Sequence, residues 1–235
     1  SAVFLIEDDG DVLSLFISIN KLTSTPGDYL IIDNVTIEST QVTWTGNIDT
    51  DWGTAANWDT GAVPTVIDGV TIDNLTNDPI ISATTGAAAF NITTSNVLTI
   101  ASGGSLIVGG TSTGNVTYNR NLSFTDGPLE GWHMVGSPVV GQAYDNAYVA
   151  ANSIASGTGN NKGIATYNNG VSSANWDYFQ DGDSGTFGAA AGYSVKTSET
   201  TDVSFTGTVN TADVVKAITV GAGTPFNLIS NPFTS

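Results

Sequence analysis

Apolar and polar positions alternate in short runs along most of this chain, and Gly, Asn, Asp or Pro interrupts them about every 8 to 12 residues. That spacing predicts β-strands of a sandwich, barrel or solenoid. Only Gln142 to Ser153 (QAYDNAYVAANS) has a helical period, enough for a turn or two. The pattern therefore predicts an all-β protein, and three textures follow one another along it.

Residues 1–40 contain two strand-like runs, Val12 to Ile19 and Tyr29 to Ile37. Two or three strands cannot bury a core by themselves. They are expected to be the closing strands of an upstream sandwich, and YLIIDNVTI resembles the last strand of a jelly-roll of the carbohydrate-binding-module type.

Residues 41–125 open on a tryptophan-rich stretch, WTGNIDTDWGTAANWDTGAVP. Strand-sized pieces follow at Gly69 to Ile72, Pro79 to Ser82, Phe90 to Thr93, Val97 to Ile100, Ser105 to Val108 and Asn115 to Tyr118, with Gly-rich turns between the later ones. Short strands with tight glycine turns predict stacked rungs of a short β-solenoid-like module. Such a stack needs a cap, which the tryptophan segment can supply.

Residues 126–235 contain an internal repeat: GWHMVGSPV from Gly131 and PFNLISNPF from Pro225, with their aromatics Trp132 and Phe226 94 residues apart. Strand-like pieces lie between them at Gly163 to Tyr167, Asn175 to Phe179, Gly192 to Lys196, Val203 to Phe205 and Val214 to Val220. A β-sandwich module that runs into a further strand or module is expected. The repeat predicts two equivalent strands, each buried along its aromatic face and each ending at its proline, Pro138 or Pro232.

Composition narrows the function classes. Five basic residues against 22 acidic ones give a formal charge of −17, a sign that repels phosphate backbones and anionic lipid, so nucleic-acid partners are excluded. No stretch has the roughly 18 apolar residues of a membrane span, so membrane insertion is not expected. There is no cysteine, hence no disulfide and no thiolate chemistry. The start carries no basic region ahead of its apolar run, so any export signal is expected to lie outside this chain.

The order WTG…DWGTAANW…VP, LTIASGGSLIV, GWHMVGSPV, AGYSVK, VSFTG and FNLISNPF resembles large Bacteroidetes proteins exported by type IX secretion to the outer surface. The resemblance covers Trp44 to Phe233. It implies an extracellular location at the outer-membrane surface and an internal fragment of a multi-module adhesin or gliding-associated protein. The partners it implies are neighbouring modules of the same polypeptide or other cell-surface proteins.

Few residues are candidates for chemistry. Asn47, Asp49 and Asp51 alternate, as oxygen ligands of Ca²⁺ do, although Trp52 stands where a calcium loop has glycine and no acidic residue closes the loop. The competing role is that of solvated turn formers. Trp44, Trp52 and Trp58 could offer an aromatic platform to glycans, or be core. His133 is the only histidine, and without a second histidine, a cysteine or a GxSxG elbow it has no partners for zinc or a nucleophilic triad. The expectation is a non-enzymatic structural or adhesive segment. Carbohydrate binding, or an accessory role beside a polysaccharide-degrading enzyme, is the alternative.

Overall fold

The structure is a computed structural model that describes residues 2–8, 13–19, 40–73 and 76–235. It divides into two units, residues 1–38 and 39–235. In the first, β1 (Ala2–Asp8) and β2 (Leu13–Ile19) form an antiparallel hairpin with Ala2 opposite Ile19 and Asp8 opposite Leu13. The run expected at Tyr29 to Ile37 lies outside the described residues.

The second unit begins as a solenoid. Each β-branched run places one side chain inward, and the next glycine turn lets the chain come round to lie parallel on the previous pass. On one side β3 (Gln41–Thr43), β4 (Gly69–Ile72), β7 (Asn91–Thr94) and β10 (Ser112–Thr113) stack in parallel, so that Val42, Val70 and Ile92 sit above one another and are buried. On the second side β5 (Ile80–Ile81), β8 (Thr99–Ile100) and β11 (Val116–Leu122) stack likewise, with Ile81 on Ile100. On the third, β6 (Gly86–Ala89) pairs with β9 (Ser105–Val108), Ala87 against Leu106 and Ala89 against Val108. Gly114 makes the turn into the last pass at φ +84°, and a Cβ there would lie 1.7 Å from the Thr94 carbonyl oxygen, so only glycine fits.

β11 then carries the solenoid directly into the rest of the chain, since β13 (Val139–Val140), β19 (Thr201–Val209), β11, β8 and β5 lie side by side in one sheet. β11 is parallel to β8 on one edge and antiparallel to β19 (Thr201–Val209) on the other, with Val116 opposite Gly207 and Leu122 opposite Thr201. A second sheet has the order β12-β18-β15-β16, from β12 (Trp132–Val135), β18 (Tyr193–Lys196), β15 (Asn161–Tyr167) and β16 (Trp176–Gln180). Short pieces complete the unit: β13 (Val139–Val140) on β19, and β14 (Ala143–Tyr144) on β17 (Gly185–Thr186). The helical period at Gln142 to Ser153 becomes one short helix, α1 (Asn146–Ala151), capped by Asp145 accepting from the Tyr148 amide at 2.8 Å. Tyr193 of β18 and Phe205 of β19 both pack on Phe187, with ring centroids 4.7 and 5.2 Å away, and so join the two sheets. One hydrophobic core runs from Val42 to Val209.

Three expectations are corrected. The break expected between residues 125 and 126 does not separate two bodies: β11 from one side of it and β19 from the other share a ladder, and residues 39–235 form one unit. The two copies of the repeat are not equivalent strands. The first becomes β12, which ends at Val135 ahead of Pro138, but its buried residue is Val135 while Met134 is 59% exposed. Met134 lies opposite Ser194 on the outer face, so the face shared with Trp132 points away from the core. The second copy makes a single bridge, Ile229 to Ala191, flanked by Gly192 N–H to Leu228 O and Ser230 N–H to Ala190 O at 3.2 Å each. Its tail then reaches the last solenoid rung, where Leu106 N–H donates to Thr234 O (3.0 Å) and Thr234 Oγ1 donates to Leu106 O (2.7 Å). Val214 to Val220 joins no ladder, and Val215 and Val220 are 93% and 85% exposed. Its Thr219 carbonyl is held by the Asn169 and Asn227 side-chain amides, which takes the place of strand pairing.

Candidate functional site

Loop 45–58 forms the first pass of the solenoid. Ile80 N–H donates to Thr50 O at 2.7 Å and Trp52 N–H to Ile80 O at 3.1 Å, which lays the loop parallel on β5. Trp44, Trp52 and Trp58 fill the end of the solenoid behind it and are all but fully buried. Trp58 meets both others edge to face, at 4.9 Å from Trp44 and 4.7 Å from Trp52. Their polar edges turn inward: Trp44 Nε1 donates to Asn77 O and Trp58 Nε1 to Trp52 O, both at 2.9 Å. No ring face is open to a sugar, so the glycan platform expected of Trp44, Trp52 and Trp58 is not formed. They are the cap.

The calcium candidates Asn47, Asp49 and Asp51 lie in the same loop. All three are exposed, but the carboxylates serve the loop itself. Asp49 accepts from Asn57 Nδ2 (2.6 Å), from the Asp51 amide (2.9 Å) and from Thr54 Oγ1 (3.2 Å), while Asp51 accepts from the Gly53 amide (3.0 Å). The bond from Asn57, then that from the Asp51 amide, hold the Asp49 carboxyl below its usual range; desolvation opposes them, and the bond from Thr54 adds the smallest lowering. Among the described residues no group of three His, Cys, Asp or Glu side chains could hold a metal. His133 places a ring nitrogen 2.8 Å from the Ser123 carbonyl oxygen.

A different set of residues builds a cleft, on the outer face of the β12-β18-β15-β16 sheet. The register puts Met134, Ser194, Ala165 and Tyr178 in one row across four strands, and Trp132 beside Lys196 in the next. The middle strands contribute small residues to this face, so the rings on the outer strands lean over them. Trp132 and Tyr178 thus meet with centroids 5.7 Å apart at 62°, and Ala165 and Ser194 beneath are buried. Beside the ring pair lies a cleft of about 490 Å³, bounded by Ser156, Thr158, Asn161, Lys162 and Lys196. A β-bulge in β15 between Asn161 and Ala165 shifts the register there, the kind of irregularity that re-aims side chains beside a site.

Both lysines are held. Lys196 donates to the carbonyl oxygens of Gly127 and Glu130, the latter at 2.9 Å, and so ties down the loop that carries Pro128. Lys162 pairs with Asp181 at 3.3 Å. Trp132, expected on the buried face of its strand, is half-exposed, and so is Trp176, which packs at 5.2 Å on Tyr167. Sequence reasoning missed this cleft because its rings lie on β12 and β16, far apart along the chain. The available signal was the repeated aromatic alternation of WDYF in Trp176 to Phe179.

Fold and site together define an all-β protein in which a tryptophan-capped solenoid shares a sheet with a β-sandwich. The chain belongs to the family described as a domain of unknown function, DUF8693, whose model matches residues 43–235. No curated protein and no solved structure matches it.

Proposed function

We propose that residues 39–235 are a non-enzymatic structural or adhesive segment, a stalk or scaffold, of a secreted bacterial cell-surface protein. The segment acts as a stiff unit that spaces and orients neighbouring modules. The observation that carries this reading is the ladder between β11 and β19. Through it the solenoid and the sandwich share one sheet and one core, so no hinge divides them. The acidic, cysteine-free composition suits life outside the cell, and the resemblance to type IX-secreted Bacteroidetes proteins supports the same location. Among the described residues no helix is long and apolar enough to cross a membrane.

Chemical unfolding of the full chain tests the stiff unit. In a Trp132→Phe, Trp176→Phe double variant tryptophan fluorescence reports on the capped solenoid alone, and amide hydrogen exchange at Tyr193 and Phe205 reports on the sandwich core. The two transitions are expected to coincide, as for one cooperative body. Two separated transitions would show a jointed chain and overturn the proposal. Antibody labelling of intact source cells checks the location: no labelling without permeabilisation would overturn a surface role.

A further inference from the structure

We infer that the cleft beside Trp132 and Tyr178 is a binding site for a pyranose unit of a neutral glycan. This goes beyond the spacer role, which needs no ligand, so either can fail without the other. Three independent observations converge on it. First, a tryptophan and a tyrosine sit half-exposed on the outside of a sheet although a large buried core is available to aromatic rings. Second, the cleft of about 490 Å³ lies within the size range of small-molecule sites, and it mixes one apolar wall with a few convergent polar groups. Third, the β15 bulge breaks the ladder where Asn161 and Lys162 enter the cleft, at the cost of regular pairing.

The chemistry selects the ligand. A pyranose presents an apolar C–H face and a rim of hydroxyls. The indole of Trp132 offers the matching flat apolar surface. Thr158 offers a hydroxyl and Asn161 its side-chain NH2 around it, while Asn161 Oδ1 already accepts from Gln180 Nε2 and Ser156 Oγ from Lys162 Nζ. The charges decide between neutral and acidic sugars. Lys162 is already paired with Asp181, and Lys196 is already engaged by two backbone carbonyls. Lys162 is thereby neutralised, and the two neutral carbonyls occupy two of the three Lys196 N–H donors, which leaves the third for a sugar hydroxyl. The formal charge of −17 on the chain acts further against a polyanion.

The test uses the full chain and four neutral probes, cellohexaose, laminarihexaose, xylohexaose and mannohexaose, with hexagalacturonate as the acidic one. Binding is read by calorimetry and by the indole N–H signals in NMR. At least one neutral probe is expected to bind saturably and to move the Trp132 indole signal. Trp132→Ala is expected to weaken that binding by at least about tenfold, and Asn161→Ala by roughly three- to tenfold. Because Trp132→Ala also uncovers Ala165 and Ser194 and can disturb the fold, Thr158→Trp provides a second variant. It fills the cleft from a loop while leaving the ring pair in place, and it is expected to abolish binding with the melting temperature kept. No saturable binding by any neutral probe, stronger binding of hexagalacturonate, or unchanged binding in Thr158→Trp would each overturn the proposal.

Discussion

Asn57 Nδ2 donates to Asp49 Oδ1 at 2.6 Å, across the base of the loop that closes the solenoid. Asn57 is fully buried, and its remaining atoms are also engaged. Its side-chain oxygen accepts from the Ile48 and Asp49 amides at 2.9 and 3.2 Å, and its main-chain oxygen accepts from the Thr45 amide at 2.7 Å. Asn57→Ala would take the acceptor from two backbone donors at once. We expect a loss of about 1–2 kcal/mol in urea unfolding, since the hydrogen bonds are lost while water can reach the amides of the exposed Ile48 and Asp49. Asn57→Asp is expected to be no better, because it sets a second carboxylate against Asp49.

The same contact predicts an acid response. The Asp49 carboxyl is depressed in the folded state, first by Asn57. A depressed carboxyl stabilises the fold fully above its unfolded value of about 4, and that contribution is lost as pH falls through the lower folded value. Between about pH 4 and pH 2 the melting temperature of Asp49→Asn should therefore fall less steeply than that of the wild type. Parallel curves would show that Asp49 is not coupled to folding.

Calcium is expected to have no effect on this loop. Asp49 and Asp51 already accept from four donors between them, and a cation would have to displace these. The melting temperature should stay the same in EDTA and in millimolar Ca²⁺, since only a ligand bound to the folded state raises it. A rise that Asp49→Ala removes would restore the calcium assignment.

The tail contact at Thr234 closes the exposed edge of β9. Open strand edges invite pairing with other chains, and a cap at a solenoid end prevents it. Thr234→Val keeps the side-chain volume and removes the bond to Leu106 O. The expected cost is about 1 kcal/mol. Removal of residues 233–235 should also speed amide hydrogen exchange at Leu106, leaving that at Ile92 unchanged.

Tyr148 carries a buried hydroxyl that has no hydrogen-bond partner among the described residues, and burial pushes its phenol well above the ordinary range. Its ring packs on Phe187 with centroids 5.3 Å apart. Tyr148→Phe retains that packing and removes the unpaired group. The variant should be as stable as the wild type or more so. A loss of more than about 1 kcal/mol would reveal a partner for the hydroxyl.

The sequence by itself determined where several solenoid strands lie and that each has an apolar side. Gly69–Ile72 and Ser105–Val108 were legible because β-branched or aliphatic side chains of one face are separated by glycine turns, a purely local signal. The role of the tryptophan stretch as a cap was legible too, from the size of the rings and the need of a solenoid for an end. Tertiary structure alone decided the rest. Gly86–Ala89 has little strand propensity and exists as a strand because β9 offers it a parallel ladder and the interior there takes small side chains. Val214 to Val220 has the opposite history: its propensity is high, yet no free edge receives it. Asp49 read as a calcium ligand or a solvated turn former, and Asn57 carried no signal, until the loop closed around them, and Trp132 looked like core. Its exposure follows from the register of β12 on β18, since Met134 opposite Ser194 fixes the outward face. Local periodicity can tell that a strand has two faces. Which face is buried is settled only when partners distant in the chain close over one of them.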